Sequence, residues 1–142
     1  MKISTKGRYA LRLMLDIALH SGGQPVSLRD VAGRQEISDK YLEQIVTQLT
    51  RAGLLRSVRG AGGGYLLTRD AKDYAVGDIL RTMEGNLAPV ECAAAGRCSR
   101  LDRCAAAEVW QRIAAAVDAV VDGVTLADLV ARCREKGSAQ TP

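Results

Sequence analysis

The sequence predicts a mainly α-helical protein carrying one short β-hairpin. Three observations lead there. Two helix-period segments are separated by only three or four residues, the second beginning Ser38-Asp39-Lys40-Tyr41, which is the layout of a helix-turn-helix. Two short apolar runs then flank the glycine-rich tip Gly60-Ala61-Gly62-Gly63-Gly64, the pattern of a hairpin. A long amphipathic segment follows from about Cys104 to Asp122. A hairpin directly after a helix-turn-helix is a wing. The expected fold is therefore a winged helix-turn-helix DNA-binding domain with a long C-terminal dimerisation helix.

Tyr9 to Leu19 is apolar with polar breaks at Arg12 and Asp16, a spacing that leaves one narrow solvent stripe on an otherwise buried helix. His20-Ser21-Gly22-Gly23 stops it. Ser27-Leu28-Arg29-Asp30 matches the [ST]-x-x-[DE] capping pattern and opens a short second helix, with Leu28, Val31 and Ala32 facing inward. Ser38 is a good N-cap for a third helix over about Asp39 to Ala52. Its apolar face runs through Leu42, Ile45, Val46 and Leu49, and Gly53 lies just past its end. Leu54–Arg59 and Tyr65–Thr68 form the arms of the hairpin. Its tip lacks the Gly-x-x-x-x-Gly-Lys-[Ser/Thr] of a phosphate loop, and Tyr65 interrupts a G-x-G-x-x-G pattern.

A short helix is expected at about Val76–Met83, and helical periodicity fails from Gly85 to Arg103. The long helix presents one seam of Val109, Ile113, Ala116 and Val120, widened by Trp110, Val117 and Val121. A stripe that broad serves two surfaces, its own domain and a partner. A last helix starts near Thr125 with Leu126, Leu129 and Val130, and runs into a polar tail, Gly137–Pro142. The chain divides into a winged helix-turn-helix region (1–84), a cysteine-bearing segment (85–104), and the dimerisation helix with the final helix and tail (105–142).

With 142 residues and 15.2 kDa, one domain is the prior. Aromatics at 4% and no Phe imply an aliphatic core. The N-terminus lacks the apolar region and cleavage site of a signal peptide. No apolar run reaches the roughly 18 residues of a membrane helix, so no membrane partner is expected and the cytoplasm is the expected compartment. Four cysteines there stay reduced and able to bind metal. Residues 1–70 hold eleven Lys and Arg against six Asp and Glu, or +5, whereas residues 71–142 hold nine against ten, or −1. A basic first half is the electrostatic footprint of a nucleic-acid reader.

In a helix-turn-helix the second helix enters the major groove, with residues near its N-terminus on base edges. Ser38, Lys40, Tyr41, Glu43 and Gln44 occupy that face. Gln pairs with adenine, Lys with guanine, and Glu accepts from cytosine while rejecting other bases or phosphate. Arg59, at the root of the wing, suits the negative potential of a narrow minor groove, and the glycines from Gly60 onward let backbone approach backbone. Lys2, Lys6, Arg8, Arg51 and Arg56 are candidate phosphate contacts, which position without specifying. The competing use of such a domain is protein docking.

Cys92, Cys98 and Cys104 form a C-x5-C-x5-C run. A step of six residues turns a helical side chain by about 240°, so Cys92 and Cys98 converge only from a loop. Pro89, Gly96 and the polar Arg97, Ser99 and Arg100 permit one. Three thiolates from a loop can hold soft metal, as iron in a cluster or as zinc. The spacing matches neither the usual zinc pairs nor the common ferredoxin motifs, and unliganded, redox-reactive thiols are the competing reading. Cys133 reads as a small, partly buried residue and His20 as a capping or surface residue. No nucleophile–base pair or carboxylate dyad is present, so no enzymatic activity is expected.

Several longer words carry a family resemblance. They are Met1-Lys2-Ile3-Ser4-Thr5-Lys6-Gly7-Arg8-Tyr9-Ala10, Tyr41-Leu42-Glu43-Gln44, and Ser57-Val58-Arg59-Gly60-Ala61-Gly62-Gly63-Gly64-Tyr65-Leu66-Leu67. Ala75-Val76-Gly77-Asp78-Ile79, Trp110 and Thr125-Leu126-Ala127-Asp128-Leu129-Val130 extend them. With the three cysteines, they make residues 1 to about 131 resemble the IscR regulators, winged-helix transcription factors related to the nitric-oxide sensor NsrR and the cysteine-metabolism regulator CymR.

The resemblance implies a homodimer joined along the long helix and reading a palindromic operator in double-stranded DNA. It implies an iron–sulfur cluster on Cys92, Cys98 and Cys104, [2Fe–2S] ahead of [4Fe–4S], and control of cluster biogenesis or of related iron, redox or sulfur genes, by repression among other modes. Within the family the glutamate at Glu43 is linked to discrimination between DNA sites, and the arginine at Arg59 to wing contact.

The sequence departs from the family at the fourth ligand. The enterobacterial type has a histidine where this chain has Ala107, NsrR an aspartate near Arg8, and a related regulator a glutamate and a histidine matching Arg8 and Arg12. Glu108 is the first candidate instead, with Glu91, Asp102, Cys133 or an exogenous ligand behind it. A second departure is Glu36, where relatives often place glycine in the turn. The alternative functions are a CymR-like regulator sensing through thiols or a bound partner without a cluster, and, further off, an iron–sulfur electron carrier.

Overall fold

The computed structural model describes residues 1–95 and 98–137. Its elements are α1 (Thr5–His20), α2 (Leu28–Gln35), α3 (Asp39–Arg51), β1 (Leu55–Val58), β2 (Gly64–Leu67), α4 (Val76–Glu84), α5 (Glu91–Ala95), α6 (Ala107–Gly123) and α7 (Leu126–Glu135). Gly96 and Arg97 of the expected loop, and the tail beyond Gly137, lie outside the described residues.

Hydroxyl caps open α1, α2, α3 and α7. Ser4 accepts from the Gly7 N–H, Ser27 from Asp30, Ser38 from Tyr41 and Thr125 from Asp128. Such a cap contributes about 1 kcal/mol by satisfying a helix-end donor. At Thr125 the capping box is complete, since Asp128 accepts from the Thr125 N–H at 2.9 Å. Hydrogen bonding from Thr125, its backbone N–H first, holds the Asp128 carboxyl below its usual range.

The main core is built on α1. Ala10, Leu13, Met14 and Ile17 are wholly buried against Leu42, Ile45 and Leu49 of α3, Ile79 of α4 and Leu126 of α7. The inward positions expected for α3 are thus all buried. A smaller cluster of Val76, Leu80 and Leu87 receives Val117 and Val121 from α6. Each fully buried side chain of this size contributes roughly 1.5–3 kcal/mol.

The wing is a two-stranded antiparallel sheet, Leu55 opposite Leu67 and Val58 opposite Gly64. Val26, just before α2, adds a further rung: it and Tyr65 exchange backbone hydrogen bonds of 3.0 and 2.8 Å. A Cβ on Gly64 would collide with the Val26 carbonyl, so glycine is required for that close approach. At the base of the wing, Tyr74 is wholly buried and its hydroxyl donates to the Leu54 carbonyl at 2.8 Å. The same oxygen accepts from the Thr68 N–H at 2.9 Å, and Arg69 lies over the ring at 4.4 Å.

Three expectations are corrected. Arg12 and Asp16 do not form a solvent stripe: Asp16 is 0% exposed and Arg12 is half-buried, both facing the end of α2. The segment after Gly85 is not wholly irregular, because Glu91–Ala95 makes α5 and Leu101–Arg103 a turn of 3-10 helix. A five-residue helix is too short to show a period. The long helix begins at Ala107 rather than Cys104, whose extended ψ of 104° precedes it.

Candidate nucleic-acid interface and cysteine segment

Burial of Leu42, Ile45, Val46 and Leu49 turns the opposite face of α3 outward. Lys40, Glu43 and Gln44 are exposed there, with Thr47 one turn on. Ser38 is exposed too, although its Oγ accepts from the Tyr41 N–H at 3.2 Å. Tyr41 is half-buried, its ring edge-on to Tyr9 with centroids 5.6 Å apart. Arg59 and Gly60 are exposed at the start of the wing tip, where Gly60 takes φ 96°. Arg51 and Arg56 are exposed between α3 and the wing, as are Lys2 and Arg8 at the start of the chain; Lys6 is half-buried. Arg8 donates to the Thr5 hydroxyl at 3.3 Å. The described structure therefore leaves a polar helix face and a basic wing open to a groove and to phosphates.

Behind this face lies a polar network that sequence reasoning missed. Asp16 accepts from Arg34 Nη2 at 2.7 Å and Nε at 3.0 Å, and from Gln35 Nε2 at 2.9 Å. Its hydrogen bond raises Arg34 above the ordinary guanidinium range. Arg12 donates to the Gln35 side-chain oxygen at 2.9 Å and to its carbonyl at 2.6 Å. His20 Nδ1 lies 2.9 Å from the Asp16 carbonyl. The signal was present as the helical spacing of Tyr9, Arg12, Asp16 and His20, which marks a shared face without saying what lies opposite.

The three cysteines lie between α4 and α6. Cys92, on α5, and Cys98 are half-buried, whereas Cys104 is exposed. Cys104 lines an open concavity of about 500 Å³ with Arg100 and Arg103. Glu108 is exposed in the first turn of α6. By donor type the set fits a soft metal or a cluster. By position it is not assembled: among the described residues no three His, Cys, Asp or Glu side chains are grouped to hold a metal ion. Cys133 is buried in the main core.

The outward seam of α6 is apolar and open. Val109, Ile113, Ala116 and Val120 are all exposed, Val120 at 66% and Val109 at 50%. No described helix is long and apolar enough to cross a membrane.

Residues 3–132 match the Rrf2 family, described as an iron-dependent transcriptional regulator. The chain belongs to the Rrf2 family. An Rrf2-type relative, the HTH-type transcriptional regulator IscR of Serratia proteamaculans, is 42% identical over 130 residues, covering 92% of this chain and 79% of that protein. Two solved structures share the Rrf2 fold seen here. CymR, the global cysteine regulator of B. subtilis, is 42% identical with a TM-score of 0.79, over 93% of this chain and 98% of that one. The IscR of T. potens is 40% identical with a TM-score of 0.80, over 96% and 90%. This Rrf2 chain is accordingly a DNA-binding transcriptional regulator with a winged-helix fold, and its relatives are regulators rather than enzymes.

Proposed function

We propose that this Rrf2 regulator acts as a homodimer on a palindromic operator, with a DNA affinity that depends on an iron–sulfur cluster carried by Cys92, Cys98 and Cys104. One observation carries the reading. The segment bearing all three thiols joins α4, which packs on α1 and α3, to α6, whose outer seam is open. A change in that segment acts on both the DNA-reading body and the helix proposed to pair two copies.

The cysteines would hold the cluster, with Glu108 as the first candidate for the remaining position. A bound cluster supplies a group that iron supply and oxidants can remove. The chain's own residues do the rest: α3 presents Ser38, Lys40, Tyr41, Glu43 and Gln44 to bases, and Arg59 and Gly60 present the wing. Lys2, Lys6, Arg8, Arg51 and Arg56 hold phosphates. Holding a cluster requires the three thiols to converge on one site. Resemblance to IscR proteins favours target genes in cluster biogenesis or in iron, redox or sulfur metabolism.

Exposed Cys104 beside Arg100 and Arg103 favours a second reading, in which DNA binding responds to thiol oxidation as an alternative to a cluster. An electropositive, accessible setting is where cysteines react, and a CymR structure is among the neighbours.

The deciding measurement is iron and acid-labile sulfide per subunit on protein purified without oxygen. Near-equal iron and sulfide, lost in Cys92→Ala while the helical circular dichroism is kept, is the expected result. Unchanged iron in Cys92→Ala would remove the ligand assignment. No iron even after reconstitution, together with oxidant-dependent DNA binding, would replace the cluster with the thiol reading.

A further inference from the structure

α1 turns one row of side chains toward the helix-turn-helix, two of them onto the end of α2 and one onto the start of α3. Asp16 holds Arg34 and Gln35, the last two residues of α2, through three donors. Arg12 reaches the side chain and the carbonyl of the same Gln35. Tyr9 meets Tyr41 in the first turn of α3, and Arg12 lies 5.4 Å from the centre of the Tyr9 ring. Five residues, Glu36 to Lys40, separate Gln35 from Tyr41, and three of them, Glu36, Ile37 and Ser38, make the turn between α2 and α3. The turn is thus held on both sides from a single helix.

Stability alone is a poor reason for this arrangement. Asp16 is wholly buried while Arg34 keeps 27% of its side chain exposed, and taking the carboxylate and part of the guanidinium out of water offsets much of their attraction. An apolar pair of similar volume would join α1 to α2 without that desolvation. A guanidinium fork on a carboxylate adds direction, because its donors lie in one rigid plane. Base readout needs direction: a reading side chain must be held to within roughly 0.5 Å and 10–20° of its productive pose. Contacts to phosphates from Lys2, Arg51 or Arg56 tolerate far more play.

We propose that Tyr9, Arg12 and Asp16 are positioning residues that set the pose of α3 over the bases, and so govern sequence discrimination rather than overall grip on DNA. The inference rests on α3 being the reading helix. It does not depend on a cluster.

The test uses the full-length protein and a duplex recovered by selection from a random library with the wild type. A random-sequence duplex of equal length is the reference. Asp16→Asn keeps the size of the side chain but removes the charge and one acceptor of the fork. It should weaken binding to the selected duplex about tenfold, the scale of one lost base contact. Binding to the random duplex should stay within about twofold, with the same salt dependence, because phosphate contacts set that term. Ile79→Val, a core change on α4, supplies a control destabilised without touching the row, and should leave the ratio of the two affinities unchanged.

Arg12→Ala, nearer the surface, should lower the same ratio and serves if Asp16→Asn does not fold. An affinity ratio unchanged in Arg12→Ala, or lowered equally by Ile79→Val, would overturn the alignment role. Failure of the wild type to recover any preferred sequence would instead remove the reading-helix assignment on which it rests.

Discussion

Glu36 stands between α2 and α3 with φ 56° and ψ 44°, and is the single non-glycine with positive φ among the described residues. A Cβ in the left-handed region costs about 1 kcal/mol. Its N–H closes the end of α2 on the Ala32 carbonyl, so the conformation cannot relax without opening the turn. Glu36→Gly should therefore stabilise the fold by about 0.5–1 kcal/mol, raising the urea midpoint with no change in slope. An unmoved midpoint would mean that the turn carries no strain. The departure at Glu36 was visible only against related regulators, which often place glycine in this turn, and the positive φ supplies the physical reason for that glycine. Asp16 was not legible in the same way. A polar residue every fourth position of an apolar helix marks a face, but water and a half-buried arginine opposite it leave the same pattern. Only the tertiary placement of Arg34 and Gln35 tells them apart.

Between elements, α4 is clamped to α6 by one arginine. Arg81 Nη2 lies 2.6 Å from Asp118 Oδ1, and its Nη1 lies 2.7 Å from Asp122 Oδ1. One turn earlier, a Cβ on Gly77 would run into Asp122 and Arg81, so the helices are pressed together there. The Arg81 hydrogen bond holds the Asp122 carboxyl below its ordinary value of 3.8. A carboxylate whose folded pKa is depressed adds stability that is complete above the unfolded value and is lost as pH falls through the folded one. The clamp is therefore insensitive to pH between 6 and 8, by a margin of roughly two units, and loosens only in acid. Arg81→Gln should move the Asp122 carboxyl titration, followed by NMR, back up toward the ordinary value. A titration curve identical to that of the wild type would show that the clamp is absent in solution. The helices themselves were largely legible, since caps and apolar periods locate α2, α3, α4 and α7. The clamp was not, because Arg81 and Asp122 are 41 residues apart and no local pattern pairs them. α5 escaped for the opposite reason, being shorter than the two turns a period needs.

At the scale of the molecule, α6 packs Val117 and Val121 inward against Leu80 and leaves its other side open. An apolar concavity of about 430 Å³, bordered by Met1, Ile3, Leu80, Leu87, Ile113 and Val120, runs from the packed face of α6 to its open one. A continuous apolar ridge on a helix that already has an inner face marks an interaction surface. In the proposed homodimer the two α6 ridges cover each other, placing two α3 helices on one duplex. Two linked half-site contacts bind more tightly than one, with an advantage of about 10²–10⁴. Val120→Glu puts a charge on the most exposed large apolar residue of the ridge, where a solitary chain tolerates it and a buried interface does not. The variant should therefore fold as well as the wild type yet sediment as a monomer at concentrations where the wild type is dimeric. Its affinity for a duplex carrying two half-sites should drop at least about a hundredfold, toward its own affinity for a single half-site, which stays unchanged because α3 and the wing are untouched. A Val120→Glu protein that remains dimeric and keeps the two-site advantage would place the interface elsewhere. The cysteine segment, which enters α6 at its first turn, would then have no route through that ridge to the spacing of the reading helices.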